Sequence, residues 1–295
     1  MMDTFYPVDL HFHTHYSDGW CSPEAMLRFA AANGVRTVAI TDHDNYNAYT
    51  AALPLARELG LRLIPGIEFT THWPGPTPHC PPGEAEIDLL GYGFDPENET
   101  FRAFARRGQA DLAERIAACC RALNDLGCPI TPADMAVQNP HAPGLSQLVR
   151  AMLHLGLAPT WDAGVDLMRS GWDQVPPPAA SLSAAIEQIH RAGGAAVLAH
   201  PAIIAINGID TWITADDLAL LVDAGLDGIE IFHHRLNAEA RAYFTALARR
   251  FNLLITGGSD EHGRESRGGQ FPYLGRQPVT EELAEALLAR CAFKS

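Results

Sequence analysis

The short apolar runs of this chain stop on histidine or acid, and that pattern limits its fold more than any other feature. Strand candidates lie at 7–13, 36–41, 62–69, 87–92, 195–199, 227–232 and 253–257. Six of the seven lead into His11 and His13, Asp42-His43-Asp44, Glu68, His200, His233-His234, or Asp260 with His262. Runs such as Thr-Val-Ala-Ile and Ala-Ala-Val-Leu-Ala show no polar alternation, as expected of parallel strands buried on both faces. In parallel α/β barrels the functional groups collect at the carboxyl ends of the strands. A chain whose strand ends are this rich in ligands is expected to gather them at one rim.

Helical patterns separate the runs and carry start and stop signals. Ser22-Pro23-Glu24 supplies an N-cap, a proline at N1 and an early acid, and Asn33-Gly34 ends that segment. Thr214 with Asp217 three residues on opens another, and Gly225 follows its end. Helices are also expected over 45–60, 237–252 and 280–291. Alternating strand and helix argues for βαβ units. The alternation breaks over 96–180, where a long helix at 100–126, a Pro- and Asn-rich loop, and helices near 145–155 and 161–171 are expected. Residues 1–95 with 181–295 thus read as an α/β barrel, and 96–180 as a helical insertion that caps it.

The ligand-bearing segments point to a divalent metal site. Residues two apart on a strand share a face, so His11 and His13 can grip one ion, with Asp18 just beyond. His43 lies between two acids, which makes plain core burial a poor reading. Glu68 ends a buried-type strand, where a carboxylate is costly unless paired or metal-bound; it is the bridging candidate. Asp260 and His262 repeat the i, i+2 spacing, and Gly257, Gly258 and Gly263 permit close turns there. His200 is placed to meet substrate or metal, and one of His233 and His234 should face the barrel mouth. Imidazole with carboxylate, and no thiolate, is a ligand set for a hydrolytic divalent ion.

The composition bounds the partners. A net charge of -14 argues against a protein living on long nucleic acid. Six cysteines without a C-x-x-C pair read as reduced thiols, and no signal-peptide pattern opens the chain, so a cytoplasmic setting is expected. The longest uncharged run, 193–209, contains Pro, Asn and His and reads as strand plus loop rather than a membrane span. No obligate protein partner is evident.

Together the blocks Asp9-Leu-His11-Phe-His13-Thr with Ser17-Asp18-Gly19, Thr41-Asp42-His43-Asp44, Gly66-Ile67-Glu68, Ala199-His200-Pro201 and Gly258-Ser-Asp260-Glu-His262-Gly263 resemble the PHP (polymerase and histidinol phosphatase) family of the amidohydrolase superfamily. The resemblance implies a distorted (β/α)7 TIM-like barrel and two to three divalent ions, Mn first, with Fe or Zn as alternatives. It implies that His11, His13, Glu68 and Asp260 hold one ion and that Asp18, His43 and His262 hold another. Where the family carries two further histidines, this chain has Asp88, a possible ligand, and Gln147, a poor one. The helical insertion and the segment 87–95 look most like the branch of nucleotide phosphoesterases. That branch implies hydrolysis by a metal-activated water, with removal of the 3′-phosphate from a nucleoside 3′,5′-bisphosphate as the leading expectation. His200, His233 and Asp260 would be catalytic, and Arg235, Arg264, Arg267 and His200 would hold substrate phosphate. A 5′-to-3′ exonuclease on short RNA or DNA, a histidinol-phosphate-type phosphatase and an inactive metal-binding partner domain are the alternatives.

Overall fold

The computed structural model describes residues 4–73, 85–136, 144–202, 204–206, 209–263 and 271–292. In chain order the elements are β1 (Val8–Asp9), α1 (Pro23–Ala32), β2 (Thr37–Ala39), α2 (Asn47–Glu58), β3 (Arg62–Ile64), β4 (Gly66–Trp73) and β5 (Ala85–Tyr92). Then come α3 (Glu99–Asp125), α4 (Pro132–Ala136), α5 (Leu145–His154), α6 (Trp161–Trp172), α7 (Leu182–Arg191), β6 (Ala195–Leu198), β7 (Ile204–Ile206) and β8 (Ile209–Thr211). The chain finishes with α8 (Ala215–Asp223), β9 (Gly228–Phe232), α9 (Ala238–Phe251), β10 (Leu254–Gly257) and α10 (Glu281–Arg290).

Local chemistry sets the helix starts. Ser22, Asn98, Thr160 and Ser181 each accept a backbone N–H with the side chain. Thr214 and Asp217 close a reciprocal capping box at α8. No helix among the described residues is long and apolar enough to cross a membrane.

The strands form a mixed α/β fold in two sheets. A parallel sheet runs β1-β2-β3, and the larger one runs β10-β9-β6-β5-β7-β8 with β4 paired to β5. The ladders do not run continuously around a closed barrel. The sheets meet at two seams, through the parallel bridges Phe12 to Glu261 and His43 to Glu68. Leu10 N–H donates to Gly257 O at 3.2 Å, and Asp44 N–H to Glu68 O at 2.8 Å.

Three expectations need correction. The run 62–69 is not one strand: Pro65 breaks it, because proline brings no donor to a ladder, and its halves join different sheets. The sheet is also not all parallel, since β5 is antiparallel to both β4 and β6. The run 193–209, expected as strand plus loop, contains β7, which pairs antiparallel with β8.

The core is divided to match. One apolar cluster joins Phe69, Phe94, Phe101, Ile186, Ile229 and Phe244. A second lies under α1 and α2, around Phe12, Met26 and Leu63. A third, with Ile116, Cys119, Leu123, Leu148 and Met152, holds α3 to α5 together. Helix α3 spans both regions: Phe101 packs on Phe94 in the first cluster, and Cys119 sits in the helical one. Cys119, Cys120, Cys128 and Cys291 are buried free thiols and Cys21 is half-buried; Cys80 lies outside the described residues.

Candidate metal centre

His11 and His13 follow β1 on extended backbone, and both are buried. Their Nε2 atoms are 3.2 Å apart. Glu68 Oε2 lies 3.3 Å from His11 Nε2 and 3.0 Å from His13 Nε2. Asp260 Oδ1 lies 3.4 and 3.3 Å from the same two atoms. His11, His13 and Glu68 thus form a group whose donor atoms all lie within 4.8 Å of one another, a spacing that suits ligands of one ion, and Asp260 reaches both imidazoles beside it.

Two further groups share these residues. His13, Asp18, His43 and His262 form one. His262 Nε2 is 3.3 Å from Asp18 Oδ1, and its ring stacks on His13 with centroids 4.1 Å apart. Glu68, Asp88 and His200 form the other, with His200 Nε2 3.2 Å from Glu68 Oε1 and 3.8 Å from Asp88 Oδ2. The two oxygens of Glu68 thus face different groups. His13 Nδ1 and His200 Nδ1 are buried without a hydrogen-bond partner. Orphaned imidazole nitrogens beside carboxylates, with no thiolate, fit a divalent ion of the Mn, Fe or Zn type.

The structure thus brings together His11, His13, Asp18, His43, Glu68, Asp88, Asp260 and His262. His200, expected to touch substrate, joins Glu68 and Asp88. Gln147 does not accompany Asp88; it sits by Asp18, whose carbonyl accepts from the Ser146 hydroxyl. His233 is buried, with its Nε2 3.1 Å from Asp260 Oδ2. Its neighbour His234 faces the open cavity instead. Arg235 lines that cavity, and Arg264 and Arg267 lie outside the described residues.

Several buried acids hold these ligands in place. Glu230 of β9 meets His11 Nδ1 at 3.0 Å. Asp9 accepts from Ser259 N at 2.9 Å and Gly275 N at 2.7 Å, which fixes the turn carrying Asp260. Asp42 accepts from Thr14 N, Thr14 Oγ1 and Ser17 Oγ and so shapes the loop between His13 and Asp18. Asp44, His200 and Asp260 adopt positive φ of 49°, 22° and 52°. Non-glycine residues in such conformations cost about 1–3 kcal/mol each and persist where the surroundings over-determine them. Gly258 has no room for a side chain: a Cβ there would fall within 2.7 Å of His11 Cα.

The electrostatics follow from this crowding. Burial pulls the His13 imidazole down, but bonds to Asp260 and Glu68 outweigh it and push it up to about 10. His11 is raised as well, burial being overcome by Glu230, Glu68 and Asp260. Burial raises Glu68, yet His11 and His43 win and hold it well below the usual range. Asp88 is pushed up to about 8 by burial and by Glu68. The negative field that keeps protons on these imidazoles is the field that attracts a divalent cation, so proton and metal compete for the same lone pairs.

A cavity of about 270 Å³ opens beside this centre. Asp18, Asp260 and His262 line it together with Trp20, Val149, Trp161 and Met168. Trp20 lies 5.8 Å from Trp161, and the Arg150 guanidinium sits 4.0 Å over its ring. His234 donates through Nδ1–H to Ser259 O at 2.8 Å, and its ring stacks on Tyr273 with centroids 4.5 Å apart.

The PHP domain model matches residues 9–124. The chain is 31% identical over 273 residues to the 5′-3′ exoribonuclease Rnm of Salmonella typhimurium, covering 89% of this chain and 88% of the relative. With these matches added to the ligand geometry, the chain belongs to the PHP domain family and is a metal-dependent hydrolase of that family. It is also similar to the phosphoribosyl 1,2-cyclic phosphate 1,2-diphosphodiesterase of Eggerthella lenta (30% over 302 residues; 90% of this chain, 97% of the relative). The 3′,5′-nucleoside bisphosphate phosphatase of Chromobacterium violaceum is 28% identical over 270 residues, with 86% and 87% covered. Among solved structures, a protein from Bifidobacterium adolescentis described as a metal-dependent phosphoesterase superposes with a TM-score of 0.82 at 27% identity, covering 97% of both chains.

Proposed function

We propose that the chain hydrolyses a phosphomonoester of a small nucleotide, removing the 3′-phosphate of a nucleoside 3′,5′-bisphosphate. One observation carries the reading: a single cavity is lined by the acid and imidazole groups Asp18, Asp260 and His262, by Arg235, and by the apolar and aromatic Trp20, Val149, Trp161 and Met168. Its volume, about 270 Å³, lies at the small end of ligand pockets (roughly 300–1,000 Å³) and suits one nucleoside better than a longer chain. The net charge of -14 also favours a short substrate.

In this reading His11, His13, Glu68 and Asp260 hold one divalent ion, and Asp18, His43 and His262 hold a second beside His13. Glu68, Asp88 and His200 offer a third position. Bound divalent ions would lower the pKa of water toward neutrality and offset charge on the phosphoryl oxygens. Arg235 presents a planar fork of donors suited to a second phosphate. Trp20 and Trp161 give a base an aromatic surface. His234, with Nδ1 on a backbone carbonyl, keeps Nε2 for a ribose or phosphate hydroxyl. The two seams between the sheets fit a distorted (β/α)7 barrel, and residues 96–180 a cap whose α5 and α6 supply apolar lining. A cytoplasmic setting belongs to the same proposal.

A second reading, a 5′-to-3′ exonuclease on short RNA or DNA, is favoured by the 31% identity to Rnm. A phosphate-release screen with added Mn separates the two. Release from adenosine 3′,5′-bisphosphate without degradation of 5′-phosphorylated oligonucleotides supports the first. Stepwise conversion of the oligonucleotides to mononucleotides, with the bisphosphate untouched, replaces it by the second.

A further inference from the structure

Glu230 is absent from all three groups of candidate ligands, yet its two oxygens reach residues of two of them. It sits in β9, a strand buried on both faces, and is wholly shielded from water. An ionised carboxylate there needs strong partners on both oxygens. Oε1 lies 3.0 Å from His11 Nδ1, and Oε2 accepts the backbone N–H of His200 at 2.9 Å.

Each contact has a separate effect. A carboxylate only accepts, so it fixes the His11 proton on Nδ1 and leaves the Nε2 lone pair toward His13, Glu68 and Asp260. At His200 the bond secures a residue with a φ of 22°, in the left-handed region that L side chains rarely adopt. That conformation carries His200 Nε2 to within 3.2 Å of Glu68 Oε1. We infer that Glu230 is a positioning residue that tunes both cation subsites sharing Glu68, one through the tautomer of His11 and the other through the backbone of His200. The inference rests on the reading that these groups hold cations.

Glu230→Gln tests it, because a carboxamide has one accepting oxygen where the carboxylate has two. Whichever way the amide turns, its NH2 faces either His11 Nδ1–H or His200 N–H. The expected result is a 10- to 100-fold loss of divalent-ion affinity, measured by titrating the metal-free protein with Mn or Zn and counting bound ions. Wild type that binds no divalent ion overturns the metal reading and this inference with it. Wild type that binds ions while Glu230→Gln binds them equally well overturns this inference alone. Should the variant fail to fold, ¹⁵N-imidazole NMR of the zinc-loaded wild type decides. A His11 proton on Nδ1 supports the inference, and any other state of that nitrogen refutes it.

Discussion

Replacing Gly258 by alanine is the sharpest test of how the seam between the first and last strands builds the metal centre. The added Cβ would fall within 2.7 Å of His11 Cα and closer still to His11 N and Cβ. These are backbone and near-backbone atoms, so no side chain can rotate away and the seam must open by about 1 Å. That seam carries Leu10 N–H to Gly257 O at 3.2 Å, Asp260 N–H to His11 O at 2.7 Å and Ser259 Oγ to His11 O at 3.2 Å. Losing two such bonds costs about 2 kcal/mol, and overpacking a rigid site adds about 1–3 kcal/mol. The expected loss is therefore about 3–5 kcal/mol, a large share of the roughly 5–15 kcal/mol that stabilises a typical domain. Urea unfolding of the metal-free protein measures it, and a parallel ion titration should show affinity falling at least 10-fold, because His11 moves with its backbone. A loss below about 1 kcal/mol at unchanged m-value would refute the claim that close backbone approach fixes His11.

Other consequences can be checked directly. Removing divalent ions with a chelator should abolish phosphate release and added Mn should restore it; full activity after stripping contradicts the metal reading. Glu68→Gln should lower kcat at least 100-fold (about 2.7 kcal/mol) and reduce the number of bound ions, since its oxygens face two groups. Arg235→Ala should raise KM for a bisphosphate about 10-fold or more, from the loss of a charge-assisted bond, and leave metal binding intact. Asp227 is buried, but His190, Ala196 N–H and Arg290 outweigh burial and hold its carboxyl below the usual range. A depressed carboxyl stabilises the fold above its unfolded pKa of about 3.9 and loses that contribution as pH falls through the folded value. The stability gap between wild type and Asp227→Asn should therefore close as the pH drops below about 4; a gap constant down to pH 2 contradicts it.

Much of the centre was legible in the sequence because its ligands end apolar runs, and imidazole beside carboxylate has few other uses there. The long helix α3 and the helices at Leu145–His154 and Trp161–Trp172 were legible from caps and periodicity. Strand direction was not. The runs before and after 74–84 have the composition of buried parallel strands, and the clue was negative: that segment is rich in proline and has no helical period for a crossover. Glu230 carries the same signature as Glu68, since Gly-Ile-Glu-Ile-Phe and Gly-Ile-Glu-Phe are near copies. The choice between His233 and His234 was beyond reach. A register irregularity at Thr256/Gly257 opposite Phe232 breaks the alternation that would have assigned their faces.

The bond between Asp9 and Ser259 spans 250 residues of chain, and the metal centre straddles that join. During synthesis the first imidazoles leave the ribosome long before the last acid that completes their ring. Until then the nascent chain holds half a chelate, open to whatever cation or chaperone it meets. Contacts so distant in sequence close slowly, so cation capture should come among the final events of folding and serve as its checkpoint.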